Sequence, residues 1–378
     1  MLLEDVAAAV AIEIPIDSHA NDNAGAIAGE LVGNNRVEDR VEIRNSVVDG
    51  SLHAASVEVS GALAGKIDSG SLVIENSAIT WRATGKIQCS GGAVGKTDLK
   101  LAQTFSNMTV SGNIAGEEAG GLVCLAHHGP VTGKGKLNRI RVVADIEAGI
   151  GGGIVGSLAQ GSFKFHQVDY TGEIKVTDIG GGIVGEVKAF TVPVLDEGKS
   201  EAVIKTVSLG LDAEIEVAGG LIGSLRNVAN KGHSIHVRNS YFAGEIRGDF
   251  RDTGAFVSIP PGGSNGNHSD DIFTCDNSFS VGRTPSGFIL TKPGYLQFIY
   301  EGFANCFWQT PGDVDVDANM GFPLGKSHWN PTGFANKDLN QFQQEPWEFP
   351  EGAPHPELRW IKGFEPYQPD PANPFANL

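Results

Sequence analysis

The chain has 378 residues, 40 % of them apolar, with 51 glycines and a formal net charge of −17 at pH 7. The apolar share suffices for a large core, whereas the charge argues against direct nucleic-acid binding, which is driven by cations. No run reaches the roughly 18 apolar residues of a membrane span, and Cys89, Cys124, Cys275 and Cys306 show no C-x-x-C spacing and are too few for a disulfide-built scaffold.

In chain order, "MLLEDVAAAVAIEIP" is apolar but carries Glu4 and Asp5 where a secretion signal has positive charge. The chain therefore reads as leaderless or as a piece of a longer protein, and residues 1–23 as an N-terminal cap. From residue 24 a block of the form G-[GA]-x-[VIA]-G recurs as "GAIAG" (25–29), "GALAG" (61–65), "GGAVG" (91–95), "GGIVG" (152–156 and 181–185) and "GGLIG" (219–223). Worn copies, "GGLVC" (120–124) and "GAFVS" (254–258), fall in step. The first glycines are 36, 30, 29, 32, 29, 38 and 35 residues apart, an eight-fold repeat.

Three of these blocks imitate nucleotide loops. "SGGAVGKT" (90–97) lacks only the first glycine of a phosphate-binding loop, and "GGGIVG" at 151–156 and 180–185 fits G-x-G-x-x-G. That motif needs a long helix after it. Here the following segment, such as "SLAQGSFKFHQVDYTGEI", is rich in strand formers, so the glycines read as structural and no nucleotide or other cofactor is expected.

A second landmark precedes each block. Asn45, Asn76, Asn107, Asn138, Asn239 and Asn277 recur, with Gln167 and Ser208 in the equivalent place of two units. Gly-x-[Ile/Leu] usually follows five residues later, with "GKI" (85–87) displaced by four. Between the landmarks, stretches such as "VEVSGALAG" alternate apolar and polar residues like half-buried strands. Glycine at one point of every coil permits a tight bend, and stacked Asn can pair its amide with the copies above and below. The pattern predicts an all-β fold, a single-stranded right-handed parallel β-helix, with an Asn ladder at a buried corner. Residues 24–285 would give a rod of about 40 Å at about 4.8 Å per coil.

The run Asn-Ser-x-aromatic-x-Gly-x-Ile followed by Gly-Gly-Leu-Val-Gly resembles the GLUG repeat, most clearly in "NSYFAGEI" (239–246), "EEAGGLVCL" (117–125) and "VAGGLIGSL" (217–225). The resemblance implies a parallel β-helix in a bacterial surface or secreted protein, adhesin-like and without catalytic residues. "NCFW" (305–308) and "PWEFPEGAPHPELRW" (346–360) resemble the closing element of such arrays. Residues 286–365 are thus expected to cap the last coil, and the proline-rich 366–378 to be an extended tail.

Length varies chiefly between each glycine block and the next Asn, which stacks insertions on one side of the rod, a natural ligand face. His127, His128, Lys134, Lys136, His233 and His236 stand in these loops as candidate ligand contacts. Neither histidine pair has a third partner for a metal. "DVDVDAN" offers Asp313, Asp315 and Asp317 as a weak calcium candidate, but Ala318 and Leu324 replace the glycine and the glutamate of a calcium loop. For a polysaccharide-cleaving enzyme the available acids are Asp145, Asp169, Asp178, Asp212 and Glu214, at non-equivalent places in their units. The expectation is a non-catalytic stalk or adhesin, extracellular or at the cell surface, that binds a glycan or a host or bacterial surface protein. Its rivals are a β-helix enzyme on polysaccharide and an intracellular acidic rod that mimics DNA.

Overall fold

The structure, a computed structural model, describes residues 1–14, 23–32, 39–128, 134–159 and 161–187. Beyond these it describes the shorter stretches 191–195, 202–206, 208–209, 215–225, 234–246, 250–254, 257–258, 272–280, 289–290, 299–308, 346–348, 356–365 and 367. Nearly all of this is strand, and successive strands pair in parallel to form a β-solenoid. The glycine blocks set the register. Gly61, Gly91, Gly120, Gly152, Gly181, Gly219 and Gly254 each lie opposite the next. A side chain has no room there: a Cβ on Gly91 would lie 1.9 Å from the Val94 carbonyl oxygen.

Inside the rod, equivalent residues stack into columns. Val48, Ile79, Val110, Val142 and Tyr170 form one; Ile43, Ile74, Phe105, Leu137 and Phe165 form another. All ten are at most 3 % exposed. The columns also account for the displaced "GKI". Gly50, Trp81 and Gly112 stack in register, and a Cβ on Gly50 would meet the Trp81 ring at 2.5 Å. The indole of this rung occupies the column place that glycine holds above and below it. Gly85 instead lies at a corner, with φ of 103°.

Within the N-terminal cap expected over 1–23, residues 1–14 are extended and residues 15–22 lie outside the described residues. Leu2–Glu4 pairs with Glu42–Arg44, and Ala7–Ile14 with Val47–Ala54, both in parallel. This is a rung like those after it, with Asp5 (φ 54°) at the bend taken by Asn45 in the next. It escapes a repeat search because no glycine block or Asn marks it.

At that bend Asn45, Asn76, Asn107, Gln167 and Asn239 adopt positive φ, between 47° and 55°. Asn tolerates this left-handed region better than most residues because its short amide bonds locally. Asn107 Nδ2 donates to Asn76 Oδ1 at 2.9 Å and Asn76 Nδ2 to Asn45 Oδ1 at 3.2 Å, a ladder that is half-buried rather than buried. Where Ser follows, its hydroxyl is buried and donates two residues back, from Ser46 to the Arg44 carbonyl and from Ser77 to the Glu75 carbonyl. Asn138 does not continue the ladder. It pairs with Ser106 and His166, and the bend falls on Arg139 (φ 56°). Nor does Ser208, which lies opposite Glu245. Asn277 lies in the Ile272–Ser280 strand, and its side chain is outside the described residues.

Of the expected C-terminal cap, Ile289–Leu290 and Ile299–Trp308 pair in parallel as further strands of the solenoid. Trp347–Glu348 and Glu357–Leu358 form a small antiparallel pair followed by a short helix, Arg359–Lys362. This unit packs on the rod's flank, over the outward column of Arg141, Asp169 and Tyr241. The Arg141 Nε donates to Asp169 Oδ2 at 3.0 Å and its Nη2 to the Ile361 carbonyl at 2.9 Å. Its guanidinium stands 4.5 Å from the Phe364 ring centroid, and Trp347 lies 5.9 Å from Tyr241. Burial, with Asp169 and Glu357 nearby, holds the Tyr241 phenol far above its usual range. Trp347 and Leu358 therefore cover the side of the solenoid, while residues 309–345 of the expected cap lie outside the described residues. The physical reason is the column itself: Tyr241 offers its ring to Trp347, and Arg141 gives an N–H to the Ile361 carbonyl and its guanidinium face to Phe364, which offsets the cost of covering the Arg141–Asp169 pair.

Candidate functional site

The glycine blocks are closed to ligands. The amides that a phosphate would need already donate to the next rung, Gly92 N to the Gly120 carbonyl (3.1 Å) and Ala93 N to the Leu122 carbonyl (2.9 Å). The Lys96 of the phosphate-loop lookalike stacks between Lys66 and Leu125 on an ordinary rung.

A groove of about 930 Å³ runs along one corner of the rod. Its origin is a difference in rung length. Between the column of Ala83, Ile114, Ile146 and Ile174 and that of Cys89, Glu118, Ile150 and Ile179, the chain passes through residues 84–88, 115–117, 147–149 and 175–178. The two middle rungs are the shorter ones, so the corner is pinched in between two longer flanks. Ala115, Gly116, Ala148 and Gly149 make the floor. Lys86, Glu117, Glu147, Lys175 and Asp178 stand exposed on the rim. Lys175 also pairs with Glu173 at 3.4 Å.

A second concavity, of about 370 Å³, starts where the first stops. It runs over Ala11–Glu13, Ser51–His53, Arg82 and Thr84, and Thr84 is the chain neighbour of Gly85 in the first. An outward column runs through each: Glu13 pairs with His53 and His53 with Thr84 in the second, and Ala115 pairs with Glu147 and Glu147 with Lys175 in the first. The His53 Nδ1 and the Thr84 hydroxyl share a hydrogen bond of 3.1 Å, and Arg82 is held by Asp49 at 2.8 Å.

The residues singled out in the sequence do not gather here. His127 Nδ1 pairs with Asp98 Oδ1 at 3.0 Å on another face. Lys134 and Lys136 are exposed on the Lys134–Gly152 strand rather than in a loop. His128 and His236 lie on strands, but their side chains are outside the described residues, as are His233, Asp212, Glu214, Asp313, Asp315 and Asp317 altogether. Of the remaining acids, Asp145 accepts the Glu173 amide at 3.0 Å, Asp169 is engaged by Arg141, and only Asp178 reaches the groove. Among the described residues no three His, Cys, Asp or Glu side chains converge as a metal site. No described helix is long and apolar enough to cross a membrane.

One feature was missed in the sequence. Cys89 and Cys124 form a disulfide across adjacent rungs, 35 residues apart. Val59, Cys89 and Glu118 are equivalent in register, as are Gly95 and Cys124. In the rung above, Val59 leans over Gly95, whose Cβ would meet Val59 Cγ1 at 2.3 Å. The disulfide replaces that Val-over-Gly contact by a bond. The signal was available: Cys124 is the one block whose last glycine became cysteine, and aligned repeats put Cys89 at the position facing it. In comparison with known proteins, no family model matches the chain, and no curated protein or solved structure is significantly similar to it.

Proposed function

We propose that this chain is a non-catalytic, rigid β-solenoid module of a protein that works outside the cytoplasm, binding a glycan or a surface protein along its side. The observation that carries the reading is the groove. It is long, open and floored by small residues, and its exposed rim bears carboxylates with amines between them, an arrangement suited to holding an extended ligand. Of the described candidate acids, Asp145 accepts a backbone amide and Asp169 an arginine, and Asp178 alone reaches the groove, which favours binding over hydrolysis. Disulfides persist in oxidising compartments, so Cys89–Cys124 supports a surface or secreted location, in keeping with the resemblance to GLUG-type repeats.

The test is direct. The purified chain is applied to a glycan array and to panels of cell-surface proteins, and in parallel incubated with polysaccharides while reducing ends and unsaturated products are measured. Saturable binding without product is the expected result. Turnover of any polysaccharide would replace this reading with an enzymatic one.

A further inference from the structure

Resting on that reading, the geometry points to a specific occupant: a neutral oligosaccharide lying parallel to the rod axis along the two adjoining concavities, about one sugar per rung. Three observations select it. First, the two concavities lie end to end across six successive rungs, from Glu13 to Lys175, which at about 4.8 Å per rung is about 24 Å. The repeat of a pyranose chain is close to that spacing, so successive sugars meet successive rungs in the same way. Second, the rim is balanced. Arg82, Lys86 and Lys175 are interspersed with Glu13, Glu117, Glu147 and Asp178, so a polyanion meets four carboxylates and a polycation three cations. Hydroxyl groups, by contrast, both donate to carboxylates and accept from amines. Third, a peptide finds little here. The floor of Ala115, Gly116, Ala148 and Gly149 offers no deep pocket for an anchoring side chain.

The roles divide accordingly. Glu117 and Glu147 accept from sugar hydroxyls, Lys86 and Lys175 donate to them, and the alanine floor packs against the C–H faces of the rings.

The experiment titrates the intact chain calorimetrically with homologous series of neutral glucan, mannan and xylan oligosaccharides from disaccharide to octasaccharide. For at least one series, affinity should climb with length and level off at about five or six units, the number of rungs in the groove. Glu147→Ala and Lys86→Ala, both exposed, should each weaken binding about tenfold, and Ala115→Trp should abolish it by filling the floor. Circular dichroism and thermal melts confirm that each variant is folded. Lys134→Ala/Lys136→Ala, outside the groove, should bind like the unaltered chain. If binding is instead lost in that double variant and kept in the groove variants, the groove assignment fails while the ligand-binding reading stands. Preference for uronate or sulfated chains, or for a protein alone, overturns the neutral-glycan assignment in the same way. Absence of any glycan or protein ligand overturns both.

Discussion

Replacing Asn107 separates two contributions at the bend of each rung. The residue holds φ at 51° and donates to Asn76 at 2.9 Å. Asn107→Leu removes one hydrogen bond, about 1 kcal/mol, and forces a branched side chain into the left-handed region at about 1–2 kcal/mol. The sum is about 2–3 kcal/mol. Asn107→Gly loses the same bond without the backbone penalty and should cost about 1 kcal/mol. Asn138→Leu should stay within about 0.5 kcal/mol, because Asn138 is a half-buried strand residue beside the bend rather than at it. Urea unfolding followed by circular dichroism gives the totals. Amide exchange resolved by rung guards against stepwise unraveling, to which solenoids are prone. Equal losses for the Leu and Gly variants of Asn107, or a loss at Asn138 as large as at Asn107, would refute the assignment of the ladder and its strain.

The Cys89–Cys124 bond closes a loop of 35 residues, worth about 3.8 kcal/mol in the chain-entropy description. Cys89→Val/Cys124→Gly restores the packing of Val59 over Gly95 without the cross-link, so its urea midpoint should fall to that of the reduced chain; no difference from the oxidised chain would count against the staple. On the flank, Arg141→Leu strands the nearly buried Asp169 and should cost about 3 kcal/mol, most of it recovered in Arg141→Leu/Asp169→Leu; a double-mutant cycle with additive losses would refute the coupling. The phenols of Tyr170 and Tyr241 are both raised, in each case chiefly by burial. Above about pH 10 the unfolded chain ionises these groups while the fold keeps them neutral, so the unfolded state binds fewer protons and stability falls as pH rises. Tyr170→Phe/Tyr241→Phe should flatten that alkaline decline in pH-dependent melts, and an unchanged slope would show that other groups cause it.

The period, the glycine blocks and the Asn bends were legible in the sequence because each answers a local steric demand that recurs in every rung. A Cβ at Gly91 or Gly120 strikes the carbonyl three residues on, whatever the rest of the chain does. Strand alternation likewise fixes which residues face inward, so the solenoid follows from the pattern alone. Register between rungs is another matter. Connections of unequal length shift it, and only the stacked backbone reveals that the bend belongs to Arg139 rather than to Asn138 one place earlier. The same shifts create the groove, since a rung is short only relative to its neighbours. Residues 1–14 form a rung although they carry none of the repeat's marks, because parallel pairing needs extended backbone and an apolar face, not glycine. The C-terminal unit carries the aromatic residues of a lid. Where it docks was decided by Arg141, Asp169 and Tyr241, which are far apart in sequence and share one column only once the rungs have stacked.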